Sequence, residues 1–180
     1  MSYYRELKDF ILELKGGEFF LSPRDRWFLK FLEESSYPLE VVKQGIKKFF
    51  LFYPPEKRSK LPLFMSYREI EKLNEYHRKN VKPKVDWHTK FKERLSMAES
   101  IIKEPIAQPE VKDIWEAEEF LRQLENKIAK KLWDGLSKEE KKKIRNKFQV
   151  FEKDDELFKS MIKRELFKQM GLKGLSLFLD

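Results

Sequence analysis

The chain has 180 residues, with 39 Lys and Arg against 31 Asp and Glu, a formal net charge of +8 and no cysteine. This length corresponds to one or two domains, and the lack of cysteine excludes disulfides, thiolate metal ligands and cysteine nucleophiles. The longest apolar run, Phe49 to Tyr53, has five residues. A membrane-spanning helix needs about 20, and the first residues show no signal-peptide pattern. We therefore expect a soluble, cytoplasmic protein that makes no contact with a membrane.

The choice of charged and polar residues is typical of heat-adapted proteins. Lys and Glu dominate the charged residues, whereas Asn and Gln are scarce. Such proteins use more Lys and Glu because the hydration of charged groups becomes less favourable as the temperature rises. We therefore expect a thermophilic source.

Apolar residues recur every three or four positions through the first half of the chain, which predicts amphipathic helices. The predicted helices cover residues 3–15, 23–36, 38–52 and 66–80, and a basic linker over 54–65 separates the last two. Ser22 has the features of an N-cap, and Ser66 with Glu69 has those of a capping box. Gly45 lies in the middle of the third helix, where glycine costs about 1 kcal/mol relative to alanine. We therefore expect another helix to pack closely against Gly45.

The second half of the chain shows the same periodicity. Predicted helices start after Asp86, near residue 110, after Ser137 and near Asp154, and the helix over about 110–134 is the longest. Its apolar seam extends over only two heptads, which favours packing within the chain over a coiled coil. The sequence therefore predicts an all-α fold. We expect an N-terminal helical unit over 1–80, containing a helix-turn-helix-like hairpin over 23–53, and a C-terminal helical bundle over 81–180 with one long helix.

The net positive charge is concentrated in the middle of the sequence. Residues 1–53 have a net charge of +1, residues 54–104 of +5 and residues 105–180 of +2. Clustered Lys and Arg are typical of proteins that bind nucleic acid. The sequence therefore predicts a nucleic-acid-binding region formed by Lys57, Arg58, Lys60, Arg78, Lys79, Lys82, Lys84, Lys90, Lys92 and Arg94.

Two other interpretations of this basic region remain open. Acidic residues are interleaved throughout it, so the lysines also fit an ordinary solvated surface, and they fit an acidic protein partner. The aromatic side chains of Tyr67, Tyr76, Trp87 and His88 lie among these charges and could stack on bases if they are exposed. A second, smaller basic cluster lies on the helix that follows Ser137.

The hairpin over 23–53 could also contact DNA directly. Its second helix carries Lys43, Gln44 and Lys47. In this interpretation Gln44 would contact a base and the two lysines would bind phosphates. Bulky residues such as Trp27 and the absence of a glycine in the turn favour a hairpin that only packs in the core.

Two apolar segments suggest a different function. Residues 49–53 and 172–179 are rich in Phe and Leu. They contain more apolar residues than the single buried face of a helix can accommodate. The two segments could be buried within the chain, or Phe50, Phe52, Leu175 and Phe178 could form a surface for a protein partner or a second copy. An adaptor or a homo-oligomer is therefore the alternative to a nucleic-acid-binding protein.

The sequence offers little support for catalysis. His77 and His88 are the only histidines, they do not have metal-ligand spacing, and no glycine-rich phosphate loop is present. We expect no catalytic residues, no metal site and no cofactor, and we interpret the protein as a non-enzyme.

The first eighty residues resemble a family of uncharacterised bacterial helical proteins. The similarity lies in Tyr3-Tyr4 with Glu6 and Phe10, in Leu21-Ser22-Pro23 before Trp27, and in Tyr37-Pro38-Leu39-Glu40-Val41-Val42 followed by Gly45-Ile46 and Phe49. The resemblance implies a helical fold, and no activity or catalytic residue comes with it.

Overall fold

The computed structural model describes residues 2–16, 20–80 and 86–179, and all regular secondary structure in these ranges is helical. The α-helices are α1 Tyr3–Lys15, α2 Pro23–Glu34, α3 Leu39–Phe50, α4 Pro55–Arg58, α5 Tyr67–Asn80, α6 Trp87–Ile102, α7 Ile114–Asp134, α8 Lys138–Lys147 and α9 Asp155–Gln169. Single 3₁₀ turns cover Leu63–Ser66 and Gln149–Phe151. The prediction of an all-α fold is confirmed, and α7 is the longest of the described helices.

Local capping explains most of the helix starts. The side chains of Ser22, Asp86, Asp113 and Ser137 each accept a hydrogen bond from a backbone N–H in the first turn of the helix that follows. The predicted capping box at Ser66 is wrong. Its hydroxyl donates to the carbonyl of Leu63 at 2.6 Å, because a 3₁₀ turn leads directly into α5.

The chain divides into two compact units that do not follow the order of the sequence. The first unit contains Met1–Val81 and Val150–Phe158, and the second contains Lys82–Gln149 and Lys159–Asp180. The segment Val150–Phe158 therefore belongs to the first unit although about 70 residues separate it from α5. The division into residues 1–80 and 81–180 as separate folding units stays a prediction.

Helix α3 lies against several elements of the first unit, including α1 and α5. A Cβ atom at Gly45 would lie 2.6 Å from Cγ1 of Ile70 and 2.9 Å from its Cα. The absence of a side chain at Gly45 is what lets the backbone of α5 approach α3. The close approach that we expected at Gly45 is confirmed, and the neighbouring helix is α5.

A buried ion pair lies where α1 ends and α2 begins. The Nζ atom of Lys15 is 3.4 Å from Oδ2 of Asp25, and both side chains are 4% exposed. The other carboxylate oxygen, Oδ1, accepts a hydrogen bond from the backbone N–H of Leu63 at 3.2 Å. Asp25 thereby joins α1, α2 and the 3₁₀ turn before α5.

A second buried polar contact links the α2–α3 turn to α5. The hydroxyl of Tyr37 donates to Oε1 of Glu71 and lies 3.5 Å from the hydroxyl of Tyr67. Burial raises the pKa of Glu71 above its ordinary value of 4.5, and the nearby charges of Glu75 and Glu156 raise it further. The hydrogen bond from Tyr37 and the charge of Arg78 oppose this shift without cancelling it.

We expect Glu71→Gln to stabilise the protein near neutral pH. Because the pKa of Glu71 is raised in the folded state, its contribution to stability is complete below pH 4.5 and is lost as the pH rises through the folded-state pKa. The amide keeps the acceptor for Tyr37 and has no charge to desolvate. Chemical denaturation at about pH 4 and about pH 7 should show a gain for the variant only at the higher pH. The exposed Glu13→Gln variant controls for the loss of one carboxylate, and an equal gain in both variants would contradict the assignment.

The core of the second unit forms mainly between α6 and α7. The rings of Phe91 and Phe120 are 6.2 Å apart, and the ammonium of Lys131 donates to the carbonyl of Ile102. Both contacts join residues 29 positions apart, so α6 and α7 run in the same direction. Residues 103–113 lead the chain back along the pair.

The segment 172–179 completes this core. Leu175 and Leu177 are 1% and 2% exposed and pack with apolar residues of α6 and α7. Their backbone N–H groups donate to Oε1 of Glu125 and Oε2 of Glu118, both at 2.8 Å. Two carboxylates of α7 therefore bind the backbone of this segment, and its leucines fill the core beside them.

The described part of the chain contains no helix that combines the length and the apolar composition needed to cross a membrane.

Candidate nucleic-acid interface

The basic residues predicted between 54 and 81 lie in the first unit and differ in their surroundings. Lys57, Lys60 and Lys79 are exposed and have no ion pair with a described residue. Arg58 has a structural contact, because it donates to the carbonyls of Tyr53 at 3.0 Å and Leu14 at 3.3 Å. Arg78 is half-buried, and its charge acts on Glu71. Three of these five residues therefore present a cation to solvent.

The remaining predicted basic residues belong to the second unit. Lys92 is exposed and Lys90 half-buried, and neither has an ion pair with a described residue. Arg94 donates to the carbonyl of Leu179 at 3.1 Å and so helps to hold the segment 172–179. Lys82 and Lys84 lie outside the described residues.

The fold redistributes the charge between the two units. The first unit contains 17 basic and 16 acidic residues, because Val150–Phe158 adds Glu152, Asp154, Asp155 and Glu156 to it. Its net charge is +1, whereas the second unit contains 22 basic and 15 acidic residues and has a net charge of +7. The basic surplus of residues 54–104, which the sequence presents as one cluster, is therefore divided between a nearly neutral unit and a strongly basic one.

A basic surface of the second unit lies on α8. Lys138, Lys141, Lys142 and Arg145 are spaced three or four residues apart, so their side chains share one face of the helix. The ammonium of Lys141 and the guanidinium of Arg145 lie 5.9 Å and 5.1 Å from the ring centre of Trp133. Exposed Lys138, Lys142 and Lys143 have no ion pair with a described residue. We call Lys138, Lys141, Lys142, Lys143, Arg145 and Trp133 the α8 basic surface.

The sequence indicated the lysines of this surface but not its aromatic member. Trp133 is near the end of α7, and the turn at Gly135 and Leu136 brings the ring beside α8. The two cation–ring contacts depend on this turn, so helix periodicity alone does not predict them.

The hairpin formed by α2 and α3 presents only part of the predicted DNA-contacting face. Gln44 and Lys47 are exposed, whereas Nζ of Lys43 is 3.3 Å from Oε2 of Glu6 and 3.9 Å from Oε1 of Glu40. A lysine already paired with two carboxylates gains less from a phosphate. The packing of α3 against α1 and α5 agrees with the alternative of a hairpin that packs in the core.

The aromatic residues considered for stacking on bases are not equally accessible. Tyr67 is buried, at 4% exposed, and packs against Phe28. Tyr76 is 69% exposed, and the ring of Trp87 stacks on His88 with 3.7 Å between ring centres. Tyr67 is therefore a core residue of the first unit, and Tyr76 has a ring open to solvent.

The residues predicted for a partner surface are largely used inside the protein. Phe50 and Leu175 are 0% and 1% exposed, which corrects their assignment to the surface. Phe178 is half-buried and stacks on Trp115 at 5.6 Å. Phe52 is 73% exposed. Of the four residues predicted for a partner surface, Phe52 is therefore the exposed one.

Among residues 2–16, 20–80 and 86–179, no group of three or more His, Asp or Glu side chains could hold a metal ion.

Comparisons with known proteins show the family of the chain. A family model described as "Uncharacterised protein" matches residues 2–86. An "Uncharacterized protein" of Aquifex aeolicus (strain VF5) is 37% identical over 175 residues, which cover 96% of this chain and 98% of the relative. No solved structure matches the chain. The resemblance of the first eighty residues is confirmed, and the similarity to the relative extends through the second unit. The chain therefore belongs to this family of uncharacterised proteins.

Proposed function

We propose that the protein binds nucleic acid without catalysis and that the second unit provides the contact surface. The observation that carries the proposal is the net charge of +7 on this unit, against +1 on the first. A strong positive potential attracts a polyanion and raises the rate of association. The proposed contact surface includes Lys90 and Lys92, which belong to the predicted basic region, together with the α8 basic surface.

The α8 basic surface has the composition expected of such a contact. Exposed lysines on one helix bind phosphates without reading a sequence, and the ring of Trp133 holds Lys141 and Arg145 beside them. Lys142 and Lys143 have no carboxylate partner among the described residues, so their binding to phosphate would break no ion pair of the protein. Binding through such a surface depends on charge and therefore on salt.

We expect the full-length protein to bind duplex or single-stranded DNA or RNA at about 50 mM salt, with an affinity that falls steeply as salt rises. The variant Lys138→Ala/Lys142→Ala/Lys143→Ala should bind more weakly. Its plot of log affinity against log salt should lose about 2 to 3 units of slope, because three phosphate contacts are removed. Gel shift or fluorescence anisotropy over a salt series measures both quantities.

The variant Lys47→Ala/Lys57→Ala/Lys79→Ala is the matched control, since it removes three exposed lysines from the first unit. It should change the affinity and the salt slope less than the α8 variant. Equal or larger losses in the control would contradict the assignment to the second unit. No binding at about 50 mM salt would contradict the function itself.

An adaptor or a homo-oligomer is the second candidate function. Phe52 and Leu51, which are 73% and 59% exposed, support it because adjacent large apolar side chains are seldom left in water without a partner. An apolar contact predicts association that responds weakly to salt, in contrast to the steep dependence expected for nucleic acid.

A further inference from the structure

The first unit contains an open cleft of about 280 Å³ that the basic surface of the second unit does not involve. Three separate segments line it. Lys15 comes from the end of α1, Ser22 and Arg24 come from the start of α2, and Ser59 and Lys60 come from the turn after α4. Polar side chains thus reach one space from three directions.

The described residues that line the cleft have an excess of positive charge. Lys15, Arg24 and Lys60 are cationic, and Asp25 is the acidic residue among them. Asp25 is already engaged on both oxygens, by Lys15 and by the backbone N–H of Leu63. Because Lys15 is one of the partners of Asp25, an anion in this space would interact mainly with Arg24 and Lys60, which have no ion pair with a described residue.

Arg24 has the clearest unmet hydrogen-bonding capacity in the cleft. Its guanidinium has no hydrogen bond or ion pair with a described residue, and it lies 5.5 Å from the ring centre of Phe64. A cationic donor group without an acceptor favours a ligand that accepts hydrogen bonds. Arginine is also the side chain best suited to bind phosphate through two parallel hydrogen bonds.

We propose that this cleft binds a terminal phosphate group, carried by a small phosphomonoester or by the end of a nucleic acid. A phosphate has three peripheral oxygens, which suit donors on three sides better than the two coplanar oxygens of a carboxylate do. The hydroxyls of Ser22 and Ser59 add donors to the cations. Phe20, 81% exposed at the same cleft, offers an apolar surface to the organic part of the ligand.

The test is a titration of the full-length, ¹⁵N-labelled protein with inorganic phosphate, AMP and adenosine. The amide resonances of residues 22–25 and 59–61 should shift saturably with phosphate and with AMP below about 10 mM, and adenosine should leave them unchanged. An oligonucleotide with and without a 5′-phosphate distinguishes the two sources. A nucleic-acid end is identified if the 5′-phosphorylated strand shifts residues 22–25 and 59–61 at lower concentration than AMP does and the unphosphorylated strand leaves them unchanged. A small phosphomonoester is identified if AMP shifts these residues at the lower concentration.

The variant Arg24→Gln/Lys60→Gln should weaken AMP binding about tenfold or more, because it removes two charged donors. The control is Arg26→Gln/Lys30→Gln, which removes two exposed cations from α2 outside the cleft and should weaken AMP binding less than about twofold. Equal weakening in both variants would show general charge attraction and overturn the site, as would the absence of saturable shifts. The outcome is separate from the nucleic-acid proposal, because the α8 triple variant leaves the cleft intact.

Discussion

Asp25→Ala is expected to lower the free energy of unfolding by about 3 to 5 kcal/mol, the usual cost of removing one member of a buried ion pair. The variant takes away the carboxylate that lies 3.4 Å from the ammonium of Lys15, whose side chain is 4% exposed. It also leaves the backbone N–H of Leu63 without its acceptor. Both losses leave a polar group that is almost wholly buried without its partner.

Chemical denaturation of three variants checks this result. The exposed Asp9→Ala variant on α1 controls for the loss of one carboxylate and should differ from the parent protein by less than about 0.5 kcal/mol. The double variant Lys15→Met/Asp25→Leu should recover part of the loss, because apolar replacement of both partners removes the buried charge. A loss below about 1 kcal/mol in Asp25→Ala would mean that this ion pair contributes no more to stability than an ion pair at the surface does.

Gly45→Ala is expected to destabilise the protein by about 2 kcal/mol, although alanine is the better helix former by about 1 kcal/mol. The new methyl group would lie 2.9 Å from Cα and 3.0 Å from N of Ile70, which are backbone atoms that no rotamer change can move. Helix α5 would therefore have to move away from α3. Thermal or chemical unfolding measures the effect.

Gly135→Ala is the matched control for this substitution. Its φ of −76° suits alanine, and the nearest atoms to an added Cβ are carbonyl oxygens at 3.5 Å and 3.6 Å, an ordinary contact distance. The control should be neutral or slightly stabilising. If Gly45→Ala stabilised the protein to the same degree, the close approach of α3 and α5 would not limit the size of this residue.

The local features of the fold could be predicted from the sequence because short-range chemistry determines them. Ser22, Asp86 and Ser137 cap helices through hydrogen bonds to residues two or three positions ahead. Gly45 was identified because a glycine inside a helix requires a compensating contact. The Ser66 prediction failed because a 3₁₀ turn leads directly into α5, where the backbone N–H of Tyr67 donates to the carbonyl of Phe64 and the Ser66 hydroxyl donates to that of Leu63.

The candidate site could not be predicted in full because it depends on contacts between distant parts of the chain. No periodicity shows that Val150–Phe158 joins the first unit and brings four acidic residues to it. Periodicity also does not show that Arg58 and Arg94 donate hydrogen bonds to backbone carbonyls 44 and 85 residues away. Sequence clustering therefore placed the basic surplus at the middle of the chain, whereas the fold places most of it on the second unit.

The interleaved order of the two units also affects how the protein forms during translation. Phe64 packs edge-on against Phe151 at 5.6 Å, and the leucines that finish the α6–α7 core come from residues 175–177. A nascent chain that has emerged only as far as α5 still lacks Phe151, so the edge-on contact with Phe64 cannot form until about 70 more residues have been added. Neither unit can bury all its apolar side chains until residues 150–177 have been made, because Phe151 belongs to the first unit and Leu177 to the core of the second.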